Sequence, residues 1–137
     1  MEAVRIRTVD KKIKIGDEMR ENLNLGYFGE QEACRYLKRC GYEILERNFR
    51  CRAGELDIVA KRGSLLCFVE VKTRRSFLCG TPGEAVDDRK RQHIKKAVQY
   101  YLLSHEAGET ELRTDVIEIV VIGEKTYLRH IENIFLE

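Results

Sequence analysis

Three residues whose types could do chemistry together lie close in the sequence: Asp57, Glu70 and Lys72. Asp57 stands in the apolar stretch 54–60, and the other two close the apolar stretch 65–72. Burying carboxylates and an ammonium group among Ile, Val, Leu and Phe is costly unless the charges pair or bind a metal ion. Their position therefore indicates a site, because paired carboxylates beside a lysine suit metal-assisted hydrolysis.

A hairpin is expected to position this group. Both stretches are short, apolar and bounded by turn residues, which is typical of strands, and residues 61–64 between them are typical of a turn. Side chains alternate faces along a strand, so Glu70 and Lys72 point the same way. Pairing of the two strands can then bring Asp57 beside them.

The expected metal ligands are oxygen atoms, because Mg²⁺ usually takes one or two protein carboxylates together with water. Asp57 and Glu70 would supply two carboxylates, and the backbone carbonyl of Val71 is a candidate third ligand. Lys72 is no ligand while protonated, but beside a metal-bound phosphate it could orient or deprotonate water, or stabilise negative charge. The group suits phosphodiester hydrolysis, and a surface ladder of salt bridges is the open alternative.

A fourth acidic residue, Glu30, lies on the apolar side of the first expected helix. This helix runs from about residue 24 to residue 40, with Gly41 just past its end. By helical spacing, Glu30 shares its side with Ala33, Cys34 and Leu37. The carboxylate either snorkels to the surface or points at the same place as Asp57 and Glu70. In the second case it could bind a metal directly, through water, or bind a second ion.

The remaining pattern predicts an α/β fold with a mixed β-sheet flanked by helices. The other expected elements are a strand over 42–50, an irregular connection over 73–80, a helix beginning at Thr81-Pro82-Gly83-Glu84, and strands over 112–122 and 127–131. The order is therefore α-β-β-β-α-β-β. The second helix lets the chain cross back to the sheet.

Length and composition fit one globular domain, because the chain has 137 residues, 43% hydrophobic and 35% charged. Residues 1–22 are an expected N-terminal extension, either a short edge strand or a mobile tail, and residues 23–137 form the domain. The five cysteines, an odd number without Cys-x-x-Cys, favour neither a disulfide framework nor a zinc knuckle. No signal peptide or membrane-spanning apolar run is recognised, so we expect a cytoplasmic protein without a membrane partner.

Basic residues near the acidic group are candidates for phosphate contacts. The net charge of +2 is too small to argue for a nucleic-acid partner by itself. Arg50, Arg74 and Lys90 are the candidate nucleic-acid-binding residues, and for each the alternative is an ordinary surface charge. Lys90 lies four positions after Val86, one turn along the same side of its helix, so it can reach inward.

Five motifs follow one another in order: Gly29-Glu30-x-x-Ala33, Gly41-Tyr42-Glu43-Ile44-Leu45, Asn48-x-Arg50, Gly54-Glu55-Leu56-Asp57-Ile58-Val59-Ala60 and Phe68-Val69-Glu70-Val71-Lys72-Thr73-Arg74. This succession resembles the YraN-like family, largely uncharacterised bacterial proteins that are placed in the PD-(D/E)xK nuclease superfamily near archaeal Holliday-junction resolvases. The resemblance is strong over about residues 24–103 and looser to the end. It implies a restriction-endonuclease-like core.

The resemblance also implies roles for individual residues. It maps the superfamily's acidic pair onto Asp57 and Glu70, its lysine onto Lys72 and its helix glutamate onto Glu30, whereas the proline before the aspartate is Leu56 here. We therefore expect a Mg²⁺- or Mn²⁺-dependent endonuclease acting on DNA, with branched or damaged structures as candidate substrates. Related resolvases work as homodimers, so a homodimer is a candidate assembly. The alternative is a non-catalytic nucleic-acid-binding or scaffold module.

Overall fold

The computed structural model describes residues 3–9, 18–75, 88–105 and 110–134. Their helices and strands, in chain order, are β1 Ala3–Val9, α1 Glu18–Arg39, β2 Glu43–Cys51, β3 Gly54–Arg62, β4 Leu65–Arg74, α2 Asp88–His105, β5 Glu111–Ile122 and β6 Lys125–Glu132. From α1 onward the order is α-β-β-β-α-β-β, so the predicted order is confirmed.

All six strands form one mixed sheet in the order β1-β6-β5-β4-β3-β2. Only β4 and β5 pair in parallel, and every other neighbouring pair is antiparallel. Parallel neighbours need a long connection that crosses over the sheet, and α2 lies in that connection. The predicted mixed sheet flanked by helices is therefore confirmed.

The two helices cover opposite faces of the sheet, because the side chains of β4 alternate between two apolar clusters. Cys67 and Val69 pack in the cluster that contains the buried residues of α1. Leu66 and Phe68 pack in the cluster that contains the buried residues of α2. Continued alternation puts Glu70 on the α2 face of the sheet, together with Lys72.

The first helix begins at Glu18, earlier than the predicted residue 24, and ends at Arg39 close to the predicted end. Gly41 follows in the left-handed conformation (φ 88°), and the N–H of Tyr42 donates to the carbonyl of Leu37 at 2.9 Å. These features are typical of a helix ended by glycine, as the sequence predicted. The predicted start of the second helix at residues 81–84 lies outside the described residues.

The hairpin between β3 and β4 is tighter than predicted. The predicted turn covered residues 61–64, but Lys61 and Arg62 still pair with β4, so only Gly63 and Ser64 turn the chain. Gly63 has a φ of 60°, which glycine adopts without steric cost and which two-residue hairpin turns require. The short turn fixes the register of the strands that carry the acidic residues.

The first described residues form the edge strand that was one of two alternatives for the N-terminal extension. β1 pairs antiparallel with β6 from Ala3 opposite Glu132 to Val9 opposite Thr126. The division of the chain at residue 22 stays a prediction. Among the described residues, no helix combines the length and the apolar character that crossing a membrane requires.

Candidate active site

The hairpin ladder stops at the acidic residues. The last paired residues of β3 and β4 are Ile58 and Val69, so Asp57 stands where the two strands separate. Its Oδ2 accepts a hydrogen bond from the backbone N–H of Val71 at 2.8 Å. The carboxylate therefore accepts the Val71 N–H in place of the backbone carbonyl that a continued strand pair would supply. The pairing of Ile58 with Val69 puts the next residues of the two strands, Asp57 and Glu70, side by side.

Asp57 and Glu70 form a buried carboxylate pair, being only 9% and 6% exposed. Burial first, and then the neighbouring Glu70 carboxylate, raise the pKa of Asp57 from 3.8 to about 7, although the hydrogen bond from Val71 opposes the shift. Two carboxyl groups this close do not both ionise easily without a cation. The sequence prediction that the hairpin brings these two acids together is confirmed by this geometry.

Two lysines converge on Glu70. Lys72 Nζ lies 3.8 Å from Glu70 Oε1, and Lys90 from α2 makes a closer contact with the same oxygen. Burial and the neighbouring Lys90 ammonium lower the pKa of Lys72. Burial, the largest single cause, would lower the pKa of Lys90 too, but its hydrogen bonds with Glu70 and Lys72 and the nearby carboxylate charges together outweigh burial and raise it. Lys72 is thus the lysine that more easily releases a proton.

Glu30 is held near the pair from the side of α1. Its Oε2 accepts a hydrogen bond from Asn48 Nδ2 at 3.2 Å and lies 3.9 Å from a terminal nitrogen of Arg47. The charge of Glu30 contributes to the raised pKa of Asp57, after burial and Glu70. The preceding residue, Gly29, explains how α1 comes this close to β4, because a Cβ at position 29 would lie 1.8 Å from Thr73 Oγ1. Glycine therefore lets α1 lie directly against β4.

Asn48 adopts a backbone conformation that non-glycine residues rarely use. Its φ is 54°, on a strand that also has a register shift between Ile44 and Glu46. The unusual conformation turns the Asn48 amide toward Glu30. Such irregularities cluster at functional sites, where they aim a side chain.

The described residues contain no group of three or more His, Cys, Asp and Glu side chains arranged to hold a metal ion. The oxygen donors at the strand separation are instead two carboxylates, Asp57 and Glu70. Repulsion from Glu70 contributes to the raised pKa of Asp57, after burial. Two carboxylates completed by water fit Mg²⁺ or Mn²⁺. The backbone carbonyl of Val71 and the carboxylate of Glu30 stay predicted ligands.

A cavity of about 410 Å³ opens beside the acidic pair, between β3 and the first turns of α2. It is lined by Gly54, Glu55, Glu70, Arg89, Lys90, His93 and Ile94. Gly54 allows β3 to approach α2, because a Cβ there would lie 3.1 Å from the His93 carbonyl oxygen. Glu70 therefore borders a space large enough to admit part of a substrate.

The sequence matches the uncharacterised protein family UPF0102 over residues 29–119. The chain belongs to the UPF0102 family. It is 48% identical to a UPF0102 protein of Alkaliphilus oremlandii over 83% of this chain and 99% of that protein. A UPF0102 protein of Syntrophomonas wolfei is 47% identical with the same coverage, and one of Caldicellulosiruptor saccharolyticus is 48% identical over 69% of this chain and 80% of its own length.

The family match confirms the resemblance to the YraN-like family that the five motifs indicated. The residues matched to UPF0102 begin at Gly29, next to Glu30, and include Asp57, Glu70 and Lys72. They also include α2, which carries Lys90. The residues that build the candidate site therefore all lie within the part of the chain that matches the UPF0102 family.

The three predicted phosphate-contacting residues of this UPF0102 protein lie in different surroundings. Lys90 contacts Glu70, so it belongs to the acidic site. Arg50 is exposed and lies 3.5 Å from Glu55 across the β2–β3 pair. Arg74 is largely buried and lies 3.4 Å from Glu118 on β5. Nucleic-acid contact by all three stays a prediction.

Sequence reasoning missed Glu118, Arg129 and Asn48. The alternation of Thr114, Val116 and Glu118 along β5 was visible, but its meaning depends on the parallel pairing that sets Glu118 opposite Lys72. Arg129 follows from the next pairing, since it lies opposite Glu118 on β6. Asn48 was part of a motif, but no local pattern predicted its left-handed backbone.

A second buried polar cluster of the UPF0102 fold lies on the α1 face. Asp115 accepts hydrogen bonds from Arg113 Nε at 2.9 Å and from the Cys67 thiol at 3.2 Å, and it bonds His130 Nε2 at 2.7 Å. Tyr36 completes the cluster through His130 Nδ1 at 2.7 Å. Burial alone would raise the pKa of Asp115, but hydrogen bonds from His130 and Arg113 lower it. The cluster connects side chains of β4, β5, β6 and α1, so we interpret it as holding these elements together.

Proposed function

We propose that this protein is a Mg²⁺- or Mn²⁺-dependent endonuclease that hydrolyses phosphodiester bonds in DNA. The observation that carries the proposal is the buried pair Asp57–Glu70 at the strand separation, with Lys72 beside it. A fold has no need to bury two adjacent carboxylates at a cavity, because their mutual repulsion destabilises it. A site that binds a divalent cation accounts for that cost.

Each residue has a defined part in this proposal. Asp57 and Glu70 would hold the metal ion, which when bound polarises a phosphate oxygen and activates water. Val71 keeps Asp57 oriented through its N–H, and its carbonyl is the proposed third protein ligand. Glu30, fixed by Asn48, supports the metal shell through water.

Lys72 acts on the reacting phosphate rather than on the metal. Its pKa is lowered by burial and by Lys90, so it is suited to exchange a proton with the attacking water. In its protonated form it stabilises the negative charge that develops on the phosphate. Lys90 contacts the Glu70 carboxylate. With a cation held by Glu70, the Lys90 ammonium would be in place to contact a substrate phosphate.

A substrate panel tests the proposal. Single-stranded, duplex, flapped and four-way-junction DNA, together with RNA, would be incubated with Mg²⁺ or Mn²⁺ and with a chelator. We expect metal-dependent cutting of at least one DNA, abolished in Asp57→Ala and Lys72→Ala and retained in Glu124→Gln, which changes an exposed carboxylate in the turn between β5 and β6. Cutting that persists in both site variants would reject the proposed site.

A non-catalytic nucleic-acid-binding module is the second candidate, and the contact between Lys90 and Glu70 favours it. An internal ammonium already neutralises Glu70, so this carboxylate has a partner without any metal. Such a module would bind nucleic acid with an affinity that survives both chelation and Asp57→Ala. Homodimerisation, suggested by the related resolvases, stays a prediction under either candidate.

A further inference from the structure

The positive charge of α2 is not offset by acidic residues on the same helix. From Arg89 to its end at His105, α2 contains five lysines and arginines and no aspartate or glutamate, and Asp88 is its only carboxylate. An exposed helix gains stability from opposite charges three or four positions apart, and α2 lacks such pairs beyond its first turn. The composition of α2 therefore indicates an anionic partner outside the helix.

Four exposed residues of α2 form a row along one side of the helix. Arg89, His93, Lys96 and Tyr100 follow one another at intervals of four, three and four positions, which is the spacing of one helix side. In the part of the chain that the structure describes, the side chains of Arg89 and Lys96 make no ion pair. Both cations are thus available to a ligand. We call these four residues the basic row.

The basic row begins at the cavity beside the acidic pair. Arg89 and His93 line this cavity together with Glu70. A second carboxylate, Glu55, borders the cavity as well, but it lies 3.5 Å from Arg50 and its charge is offset there. A nucleic-acid strand that leaves the cavity therefore meets the first cation of the row directly beside the proposed cleavage site.

Tyr100 ends the basic row with an exposed aromatic ring. The side chain is 53% exposed, and its ring centroid lies 6.1 Å from that of Phe49, a buried core residue on β2. Phe49 thus holds the Tyr100 ring from one side and leaves the rest of it open to solvent. Along the helix axis the ring lies about 16 Å from Arg89. Basic side chains followed by an exposed aromatic ring are the combination that binds single-stranded nucleic acid.

We propose that the basic row binds an unpaired strand of the DNA substrate where it leaves the cavity at Glu70. Arg89 and Lys96 contact backbone phosphates, and Tyr100 stacks on a base. Bases inside a duplex are already paired and stacked on their neighbours, so only an unpaired strand offers a base to Tyr100. The inference rests on the proposed function and narrows its substrates to DNA with a single-stranded segment beside the cut, such as a flap.

Salt-dependent binding of labelled single-stranded DNA to the full chain, in a chelator, tests the phosphate contacts without any cutting. One lost contact to a single strand reduces the slope of log affinity against log salt by about 0.7. The advantage of the wild type over Lys96→Gln should therefore shrink about 2.6-fold between about 50 and 200 mM salt. The matched control is Lys38→Gln, which removes an exposed lysine in the last turn of α1, on the opposite face. Its slope should equal that of the wild type.

The stacking contact is tested with Tyr100→Leu, which keeps an apolar side chain against Phe49 and removes the ring. We expect its affinity for single-stranded DNA to fall about 5- to 150-fold. Its affinity for blunt duplex DNA should stay unchanged, because this DNA has no unpaired base, whereas a folding defect would weaken both. Tyr100→Phe keeps the ring and should bind the single strand within about twofold of the wild type.

Several results would overturn the binding of an unpaired strand by the basic row. They are a wild-type slope in Lys96→Gln, a wild-type affinity of Tyr100→Leu for the single strand, equal losses of this variant on both DNAs, and no binding of single-stranded DNA by the wild type. The expected losses of binding without metal-dependent cutting of any DNA would reject the nuclease function and keep the row. Cutting of flapped DNA with unchanged binding in both variants would reject the row and keep the nuclease.

Discussion

Replacing Asp57 by asparagine should stabilise the fold near neutral pH. The Asp57 carboxyl is buried beside Glu70, and its pKa is raised from 3.8 to about 7 by burial first and Glu70 second. Asparagine has nearly the same shape, and its side-chain oxygen can still accept the hydrogen bond from Val71 N–H. The substitution therefore removes the buried charge and keeps the contact that orients the side chain.

The size and sign of the effect follow from proton linkage. Between pH 3.8 and about pH 7 the folded protein holds a proton on Asp57 that the unfolded chain has released, so the free energy of unfolding falls as pH rises. The loss is about 1.4 kcal/mol per pH unit, or about 4 kcal/mol over the window, and it is complete above the folded pKa. Asp57→Asn does not suffer this loss. The variant should match the wild type at pH 4 and exceed it by up to about 4 kcal/mol at pH 8.

Urea denaturation followed by circular dichroism, in a chelator and at several pH values, measures this difference. Other titrating groups are common to both proteins, so their contributions cancel in the comparison. Glu55→Gln is the matched control, since Glu55 is an exposed carboxylate on the same strand, and its stability should follow that of the wild type at every pH. Parallel curves for the wild type and Asp57→Asn between pH 4 and pH 8 would refute the reasoning.

Three further substitutions test the elements around the site. Asp115→Asn leaves a buried cluster without its carboxylate and should lower the free energy of unfolding by about 3–5 kcal/mol in urea denaturation. Gly29→Ala forces a Cβ against Thr73 Oγ1 and should destabilise the fold by about 1–3 kcal/mol, with Thr73→Ala in the same chain restoring part of the loss; no recovery would contradict the contact. Asn48→Gly suits the φ of 54° but loses the bond to Glu30, so stability should hold while the rate of DNA cutting falls about 10- to 100-fold; an unchanged rate would exclude a role for this bond.

Local patterns in the sequence predicted the elements that carry the acidic pair. The alternation around Glu70 and the apolar stretch around Asp57 predicted two paired strands, and helical spacing put Glu30 on the apolar side of its helix without deciding where its carboxylate points. Gly41 marked the end of the first helix through its tolerance of a left-handed backbone. Each of these signals depends on neighbours within a few positions of the chain.

Contacts between distant parts of the chain could not be predicted in the same way. The contact between Lys90 and Glu70 depends on how α2 packs against the sheet, and the ion pair of Arg129 with Glu118 depends on the order of the strands. The left-handed backbone of Asn48 occurs inside β2, between two residues that pair regularly with β3, and no local pattern in the sequence marks that position. These non-local features complete the site.

The dependence of single-turnover DNA cutting on Mg²⁺ concentration, compared between the wild type and Asp57→Asn, tests the central claim most directly. If Asp57 and Glu70 hold the catalytic cation, the wild-type rate rises with Mg²⁺ to a plateau, and the variant is slower by more than about 100-fold at every concentration. A variant that reaches the wild-type rate with the same Mg²⁺ dependence would contradict the assignment of this pair as the metal site.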